Sequence, residues 1–229
     1  MHWFYDPALT VSSVRLPEQE AKHVKSLRLE VDEEIAITNG LGLVLKARHQ
    51  GDSDYQPLDY YTVQEPKPRF HLVQALAKGD RDEMALQASV ELGVSSVTPL
   101  QSERSVVRWD GKAEKNRERW QQIALSAMKQ SQQAHLCVIK ELQTTKTVRP
   151  VGLGLVLDPA ASQTISSVGF ELDDITLVVG PEGGLSDAEI QKLSESGFTP
   201  VRLGTSVLRT STAGPAAIAA LMLAVGAWD

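Results

Sequence analysis

The sequence predicts an α/β protein in which a small β-rich domain precedes a larger domain built on a parallel sheet. A strand–turn–strand pattern occupies the N-terminal part, and a proline-rich segment at residues 65–68 follows it. From Phe70 onward, short apolar strands alternate with amphipathic helices, which is typical of a parallel sheet covered by helices on both faces. We therefore place the two domains at residues 1–68 and 69–229.

The N-terminal domain is predicted to contain a hairpin and one helix. Residues 34–38 alternate apolar and polar side chains, and residues 43–47 supply the partner strand. Between them, Asn39-Gly40 is expected to provide the two positive-φ residues of a tight turn. Residues 17–29 have apolar side chains at near-helical spacing, with basic side chains exposed between them at Lys22, Lys25 and Arg28.

The segment Glu65-Pro66-Lys67-Pro68 is stiff and cannot lie inside a helix or a central strand, so it marks the domain boundary. Beyond this segment, predicted strands alternate with predicted helices. Strands are predicted over residues 70–76, 94–100, 138–139, 153–157, 175–179 and 200–203, and helices over residues 80–92, 111–133 and 213–227.

The strongest local signal is a strand, a glycine loop and a helix in residues 175–190. The loop Gly180–Gly184 follows a strand that is apolar apart from Thr176, and Ser186 with Glu189 forms the capping box of the next helix. Glycines let backbone N–H groups approach a ligand closely, as in nucleotide sites at the carboxyl ends of parallel strands. The loop lacks the Gly-Lys-Ser/Thr and G-x-G-x-x-G spacings, which argues against an ATPase or a dinucleotide fold. A merely structural turn is the alternative.

A second polar loop follows the last predicted strand, which is expected to end at Leu203-Gly204. This loop carries Arg209 at the rim of the predicted pocket, and Pro215 is expected in the first turn of the final helix. That helix is apolar nearly all round, which predicts that it packs on its own sheet and on a second subunit. The alternative is a helix buried within a monomer.

Composition limits the possible functions. The net charge of -6 argues against a protein that coats nucleic acid indiscriminately, although residues 104–149 are net basic and could contact a polyanion. A solvated helix face is the alternative.

The single cysteine, Cys137, excludes a disulfide framework and a multi-cysteine zinc site, and no histidine spacing suggests a metal. The apolar stretch 216–228 falls short of the roughly 20 residues that span a bilayer, so a cytoplasmic protein is expected.

Four separate blocks carry a resemblance to a known family. They are AKGDRDEMALQASVELGVSSVTPLQSERSVV from Ala77, ERWQQIALSAMKQS from Glu118, LVVGPEGGLSDAEI from Leu177 and VRLGTSVLRTSTAGPAAIAAL from Val201. In them the chain resembles the SPOUT superfamily and, within it, the RsmE family, which methylates uridine N3 in 16S ribosomal RNA. The resemblance implies a trefoil-knotted C-terminal domain. Residues 20–42 resemble the family's N-terminal domain, a PUA-like β-barrel that guides RNA docking.

The resemblance also implies a cofactor, S-adenosyl-L-methionine, with S-adenosyl-L-homocysteine as the product. The knotted loops would form its pocket and hold its adenine and ribose through backbone groups, beside the partner subunit of a homodimer. The implied cofactor-binding residues are Leu157, Gly180, Pro181, Glu182, Gly183, Gly184, Leu203, Gly204, Val207, Leu208, Arg209 and Thr210.

Methylation of a uridine N3 requires loss of the imide proton or stabilisation of the charge that develops on O2 and O4. Arg209 is the preferred residue for that stabilisation. Glu91, Arg104 and Gln130 lie in matching blocks and are expected to contact RNA or brace the pocket, with ordinary surface roles as the alternative. The expected substrate is 16S ribosomal RNA within the small ribosomal subunit. The alternatives are another SPOUT enzyme acting on a ribose 2′-hydroxyl of transfer or ribosomal RNA, or a non-catalytic RNA-binding assembly factor.

Overall fold

The computed structural model describes residues 1–11, 14–51, 54–169 and 173–227. The chain divides into two compact units. One comprises Met1–Glu65 with Met128–Leu136, and the other comprises Pro66–Ala127 with Cys137–Asp229. The predicted limits of 1–68 and 69–229 assigned residues 128–136 to the second domain, whereas their contacts group them with the first unit.

The first unit is a four-stranded sheet with one helix. Its strands are β1 (His2–Tyr5), β2 (Glu34–Thr38), β3 (Leu43–Gly51) and β4 (Asp54–Thr62), in the order β1-β2-β3-β4, and its helix is α1 (Glu18–Leu27). Strand β1 is parallel to β2, and the other pairs are antiparallel. The described strands form an open sheet, so they do not close the barrel that the resemblance implies.

The predicted hairpin between β2 and β3 is present, but its turn differs from the predicted one. Positive φ angles occur at Gly40 (72°) and Gly42 (99°), and not at Asn39. The side-chain oxygen of Asn39 instead accepts hydrogen bonds from the backbone N–H groups of Leu41, at 2.8 Å, and Leu43, at 3.1 Å. Because this side chain satisfies the loop's backbone donors, a four-residue connection replaces the two-residue turn.

The second unit contains a parallel sheet, which confirms the predicted architecture of this part of the chain. The sheet order is β11-β9-β10-β5-β6-β7, with β8 paired to β6. All of these pairs are parallel. The strands are β5 (Arg69–Ala75), β6 (Ser96–Gln101), β7 (Val138–Ile139), β8 (Gln143–Thr144), β9 (Leu153–Leu157), β10 (Asp174–Val179) and β11 (Phe198–Val201).

In the described part of the chain, three α-helices and a short 3-10 helix connect these strands, and one more α-helix follows the last strand. They are α2 (Arg81–Glu91), α3 (Ala113–Gln130), the 3-10 helix Ile165–Ser167, α4 (Asp187–Glu195) and α5 (Thr210–Ala224). The capping box predicted for α4 is present: the hydroxyl of Ser186 accepts from the N–H of Glu189, whose carboxylate accepts from the N–H of Ser186. None of the described helices is long and apolar enough to span a membrane.

The C-terminal elements begin and end earlier than the sequence predicts. Strand β11 ends at Val201 rather than Leu203, and α5 begins at Thr210 rather than Ala213. Pro215 therefore lies inside the helix and not in its first turn. The helix starts early because the hydroxyl of Thr210 is bonded to the carbonyl of Gly180 at 2.8 Å, which fixes the first turn against the end of β10.

Helix α5 buries one face within its own unit. Gly214, Ala217, Ile218 and Leu221 are buried, and the other face exposes Leu223 at 69% of its surface. Gly214 permits the approach to the sheet, since a Cβ at this position would lie 3.3 Å from the side chain of Leu72. The prediction that α5 packs on its own sheet is confirmed, and its opposite face remains apolar and exposed.

Candidate active site

A cavity of 420 Å³ opens where three neighbouring strands end. Its walls come from the loops that follow β9, β10 and β11, which lie side by side in the sheet. The carboxyl ends of parallel strands meet at one edge of a sheet, where ligands of open α/β proteins bind. The volume falls in the range of small-molecule sites, roughly 300–1,000 Å³.

The sequence-predicted cofactor-binding residues are brought together here, except for Gly183. The cavity is lined by Leu157, Gly180, Pro181, Glu182, Gly184, Leu203, Gly204, Val207, Leu208, Arg209 and Thr210. Gly183 belongs to the same loop and instead packs against the side chain of Arg104. A Cβ at Gly183 would lie 3.4 Å from the Arg104 Cβ.

The glycine loop begins at the end of a strand that is buried along its whole length, from Asp174 to Val179. The N–H of Gly184 donates to the carbonyl of Pro181 at 2.9 Å and closes a turn. Gly184 has a φ of 67°, which a residue with a side chain adopts only with strain. Strand, turn and capped helix α4 together hold the loop rigidly at the cavity.

Glu182 fixes the glycine loop to the start of α2. Its Oε1 accepts hydrogen bonds from the backbone N–H of Lys78 at 2.9 Å and from the guanidinium of Arg81 at 3.1 Å. Burial would raise the pKa of Glu182, but backbone hydrogen bonds and the nearby Arg81 outweigh it and hold the pKa below its usual value. The cavity therefore has an ionised carboxylate in its wall at neutral pH.

A buried hydrogen-bond chain joins two walls of the cavity. The side-chain N–H₂ of Gln74 donates to the hydroxyl of Thr210 at 2.9 Å, and this hydroxyl donates to the carbonyl of Gly180. Gln74 is fully buried. Sequence reasoning missed Gln74. The available signal was an amide side chain set among the apolar residues Leu72, Val73 and Ala75, since a buried polar group must find partners.

Arg209 lies at the N-terminal end of α5, and its exposed side chain lines the cavity. Its carbonyl oxygen accepts from the N–H groups of Thr212 and Ala213, which anchors the backbone of this residue. Among the described residues its guanidinium has no ion-pair or hydrogen-bond partner. The cavity therefore contains a cation that is positioned by its backbone and available to a ligand.

The other predicted catalytic residues lie elsewhere, and none is among the described residues that line the cavity. Arg104 contacts the glycine loop, donating from Nη1 to the carbonyl of Gly183 at 2.9 Å. Glu91 is exposed at the end of α2, where its carboxylate accepts from Gln87 at 2.9 Å. Gln130 is exposed at the end of α3 and groups with the first unit. The roles of Glu91 and Gln130 stay predictions.

Asp158 was also missed, although its position gave a signal. It directly follows β9 and lines the cavity together with Pro159. Its backbone N–H donates to the carbonyl of Val201 at 2.9 Å, and its carboxylate accepts from the N–H of Ala160 at 2.9 Å. A polar residue at the carboxyl end of a parallel strand is a candidate ligand contact. In the described part of the chain, no group of three acidic, histidine or cysteine side chains is placed to hold a metal ion.

Comparison with known proteins identifies the family. A model of the RNA methyltransferase domain matches residues 64–222. The chain is 31% identical to ribosomal RNA small subunit methyltransferase E of Mycobacterium bovis, covering 88% of this chain and 82% of that protein. It is 32% identical to the Aquifex aeolicus protein of the same name, and the match covers 97% of this chain and 99% of that protein.

A solved structure agrees over nearly the whole chain. The ribosomal RNA small subunit methyltransferase E from Neisseria gonorrhoeae, bound to S-adenosyl methionine, superposes with a TM-score of 0.88 at 32% identity and covers 97% of each chain. The match thus includes both compact units and not the methyltransferase domain alone. This chain belongs to the ribosomal RNA small subunit methyltransferase E family.

Proposed function

We propose that this chain transfers the methyl group of S-adenosyl-L-methionine to N3 of a uridine in 16S ribosomal RNA. The cavity at the ends of β9, β10 and β11 is the observation that carries the proposal. Family membership supports it, as does the gonococcal relative, which is described as bound to the same cofactor. The names of the relatives support ribosomal RNA of the small subunit as the substrate, and the resemblance to the RsmE family supports N3 of a uridine as the target.

The residues of the cavity suit this cofactor. The sulfonium and the ammonium group of S-adenosyl-L-methionine are both positively charged, and Asp158 and Glu182 bring two carboxylates to the walls. Apolar side chains of Leu157, Leu203 and Leu208 offer surfaces for an adenine ring. The glycine loop leaves backbone N–H and carbonyl groups accessible to the ribose and the base.

Arg209 would act on the substrate base. When bound, the cofactor supplies a methyl group on a positively charged sulfur and leaves as S-adenosyl-L-homocysteine. The N3 proton passes to solvent water, the N3–methyl bond forms and the methyl–sulfur bond breaks, so negative charge develops on the uracil oxygens before transfer is complete. A guanidinium that needs no rearrangement stabilises this charge most effectively in a site from which water is excluded. Arg209 is our candidate for this role, because its guanidinium lines the cavity and has no partner among the described residues, and the bound base would have to displace the water around it.

The finer features of the fold also belong to this proposal. The loops 180–184 and 203–210 would be parts of a trefoil knot, and the N-terminal sheet would be part of a PUA-like RNA-docking barrel. The exposed apolar face of α5, including Ala220 and Leu223, supports a homodimer. We place the enzyme in the cytoplasm, where small ribosomal subunits are assembled.

Methyl transfer to defined RNA tests the proposed function. The full-length protein is incubated with isotopically labelled S-adenosyl-L-methionine and either naked 16S ribosomal RNA or small subunits that lack uridine methylation. Mass spectrometry of the digested RNA should then show 3-methyluridine. Label at a ribose 2′-oxygen would contradict the uridine assignment, and RNA binding without any transfer would contradict the enzymatic one.

A further inference from the structure

Several basic side chains lie around the loops of the cavity, and only some of them form an ion pair with an acidic side chain. Arg81 is paired with the carboxylate of Glu182 at 3.1 Å. The side chains of Lys78 and Arg104 are exposed, and within the described ranges neither has an acidic partner. Both are nevertheless attached to the glycine loop. The guanidinium of Arg104 and the backbone of Lys78 are thus held where an anion from outside the chain would meet positive charge that no acid neutralises.

Arg104 is held on the outer side of the glycine loop. Its Nη1 donates to the carbonyl of Gly183 at 2.9 Å and reaches the carbonyl of Leu185 at 3.5 Å. These contacts use one nitrogen of a group that has five N–H donors in a planar fork. The remaining donors are available to a phosphate, which such a fork binds in bidentate geometry.

The turn that carries Arg104 is itself fixed. The backbone N–H of Glu103 donates to the buried carboxylate of Glu189 at 2.8 Å, and the hydroxyl of Ser186 donates to the Glu103 carboxylate at 2.9 Å. The hydroxyls of Ser102 and Ser105 lie 2.9 Å apart across the turn. Little ordering of this segment is therefore needed when a ligand binds to Arg104.

Lys78 is attached to the same loop through its backbone. Its N–H donates to Oε1 of Glu182 at 2.9 Å, and its ammonium group is left exposed. Neither Lys78 nor Arg104 is among the described residues that line the cavity. The anion they bind therefore lies outside the cofactor pocket, which makes the carboxylate of the cofactor an unsuitable partner.

We infer that Lys78 and Arg104 form a phosphate-contact edge for the substrate RNA, beside the cavity that the target base enters. The inference rests on the proposed function. The whole chain carries a net charge of -6, so affinity for a polyanion requires cations that are collected locally. Because both cations are bonded to the glycine loop, RNA would be held against the element that lines the methyl-donor pocket.

The test is the salt dependence of RNA binding, measured without cofactor. Affinity for 16S ribosomal RNA is determined over a range of salt concentrations for the wild type, Lys78→Ala and Arg104→Ala. In each variant the slope of log affinity against log salt should be shallower by about one, which corresponds to the loss of one phosphate contact. Binding should also weaken about tenfold at low salt. Arg104→Lys, which keeps the charge, should retain the wild-type slope.

Arg149→Ala is the matched control. Arg149 is exposed and donates from Nη1 to two backbone carbonyls, as Arg104 does, but it lies between β8 and β9 and is bonded to its own loop rather than to the glycine loop. Its slope should equal that of the wild type. Slopes for Lys78→Ala and Arg104→Ala that match this control would overturn the inference. Failure of the proposed function would appear differently, as no methyl transfer by the wild type.

Discussion

The hydroxyl of Thr210 donates a hydrogen bond of 2.8 Å to the carbonyl oxygen of Gly180. This contact ties the first residue of α5 to the end of β10, so that two loops lining the cavity share one anchor. Gln74 completes the anchor by donating to the same hydroxyl at 2.9 Å. The shape of the cavity therefore depends on a buried side chain that is adjacent to neither loop in sequence.

Replacing Thr210 by valine should remove both hydrogen bonds of its hydroxyl while nearly keeping the volume of the side chain. The variant removes the acceptor of one Gln74 hydrogen bond, leaving that nitrogen only its bond to the carbonyl of Ala75, and it removes the donor to the carbonyl of Gly180, at a cost of about 1–3 kcal/mol in stability. Cofactor affinity should fall with it. Thr210→Ser, which keeps the hydroxyl, is the control. Denaturant unfolding and calorimetry measure both effects, and a Thr210→Val variant as stable as Thr210→Ser would contradict the account.

Removal of the Arg209 guanidinium should affect the chemical step most strongly. With Arg209→Ala, kcat should fall about 100-fold or more, since a preorganised donor to developing charge is lost. Arg209→Lys should recover part of the loss, because the charge returns without the planar fork. Single-turnover methylation with saturating cofactor measures the step directly. A kcat within about threefold of the wild type would remove Arg209 from the catalytic role.

The free energy of unfolding should fall in acid, partly because the Asp174 carboxylate becomes protonated. The guanidinium of Arg69 donates two hydrogen bonds of 2.8 Å to this carboxylate, and together with the contact from His71 they hold the pKa of Asp174 below its usual value of 3.8. The interaction stabilises the fold above that usual pKa and is lost as pH falls through the lower folded value. Asp174→Asn should unfold more easily at pH 7.

The pH dependence itself distinguishes this prediction from a general loss of stability. Denaturant unfolding measured from neutral pH to about pH 2 should show a shallower acid decline for Asp174→Asn than for the wild type. Equal acid slopes in the two proteins would mean that Asp174 contributes nothing to the acid sensitivity of the fold.

Cys137 should be inert in the folded protein. It is buried, and burial raises the pKa of its thiol to about 12. Only the thiolate reacts with disulfide reagents, so labelling at pH 8 should be very slow in the native state and complete in denaturant. Rapid native labelling would show that β7 and its surroundings open readily, contrary to the buried position of this thiol.

The sequence revealed the parts of the site that are local in the chain. The loop Gly180–Gly184 and its capping box are short-range patterns whose geometry follows from glycine and serine chemistry. The early start of α5 was not predictable in this way, because it depends on the contact between Thr210 and Gly180, which are distant in sequence. The same holds for Gln74, whose partner lies still further along the chain.

Turn chemistry produced the other difference. Asn39-Gly40 is a strong hairpin signal, yet the Asn39 side chain bonds to its own loop and leaves the positive φ angles to Gly40 and Gly42. Both arrangements use the same residues, and the choice between them depends on packing around the loop. A Cβ at Gly42 would lie 2.6 Å from the carbonyl oxygen of Val63, a contact that the sequence does not indicate.

Calorimetric titration of S-adenosyl-L-methionine tests the central claim most directly, using the wild type and two glycine variants. Gly204 lines the cavity and has no positive φ, and a Cβ added there would meet no atom within 4 Å, so Gly204→Val should narrow the cavity without disturbing the fold. Gly169, equally open but not among the described lining residues, gives the control Gly169→Val. We predict saturable binding of equal affinity by the wild type and Gly169→Val, and weaker binding by Gly204→Val. No uptake by the folded wild type, or undiminished uptake by Gly204→Val, would contradict the account.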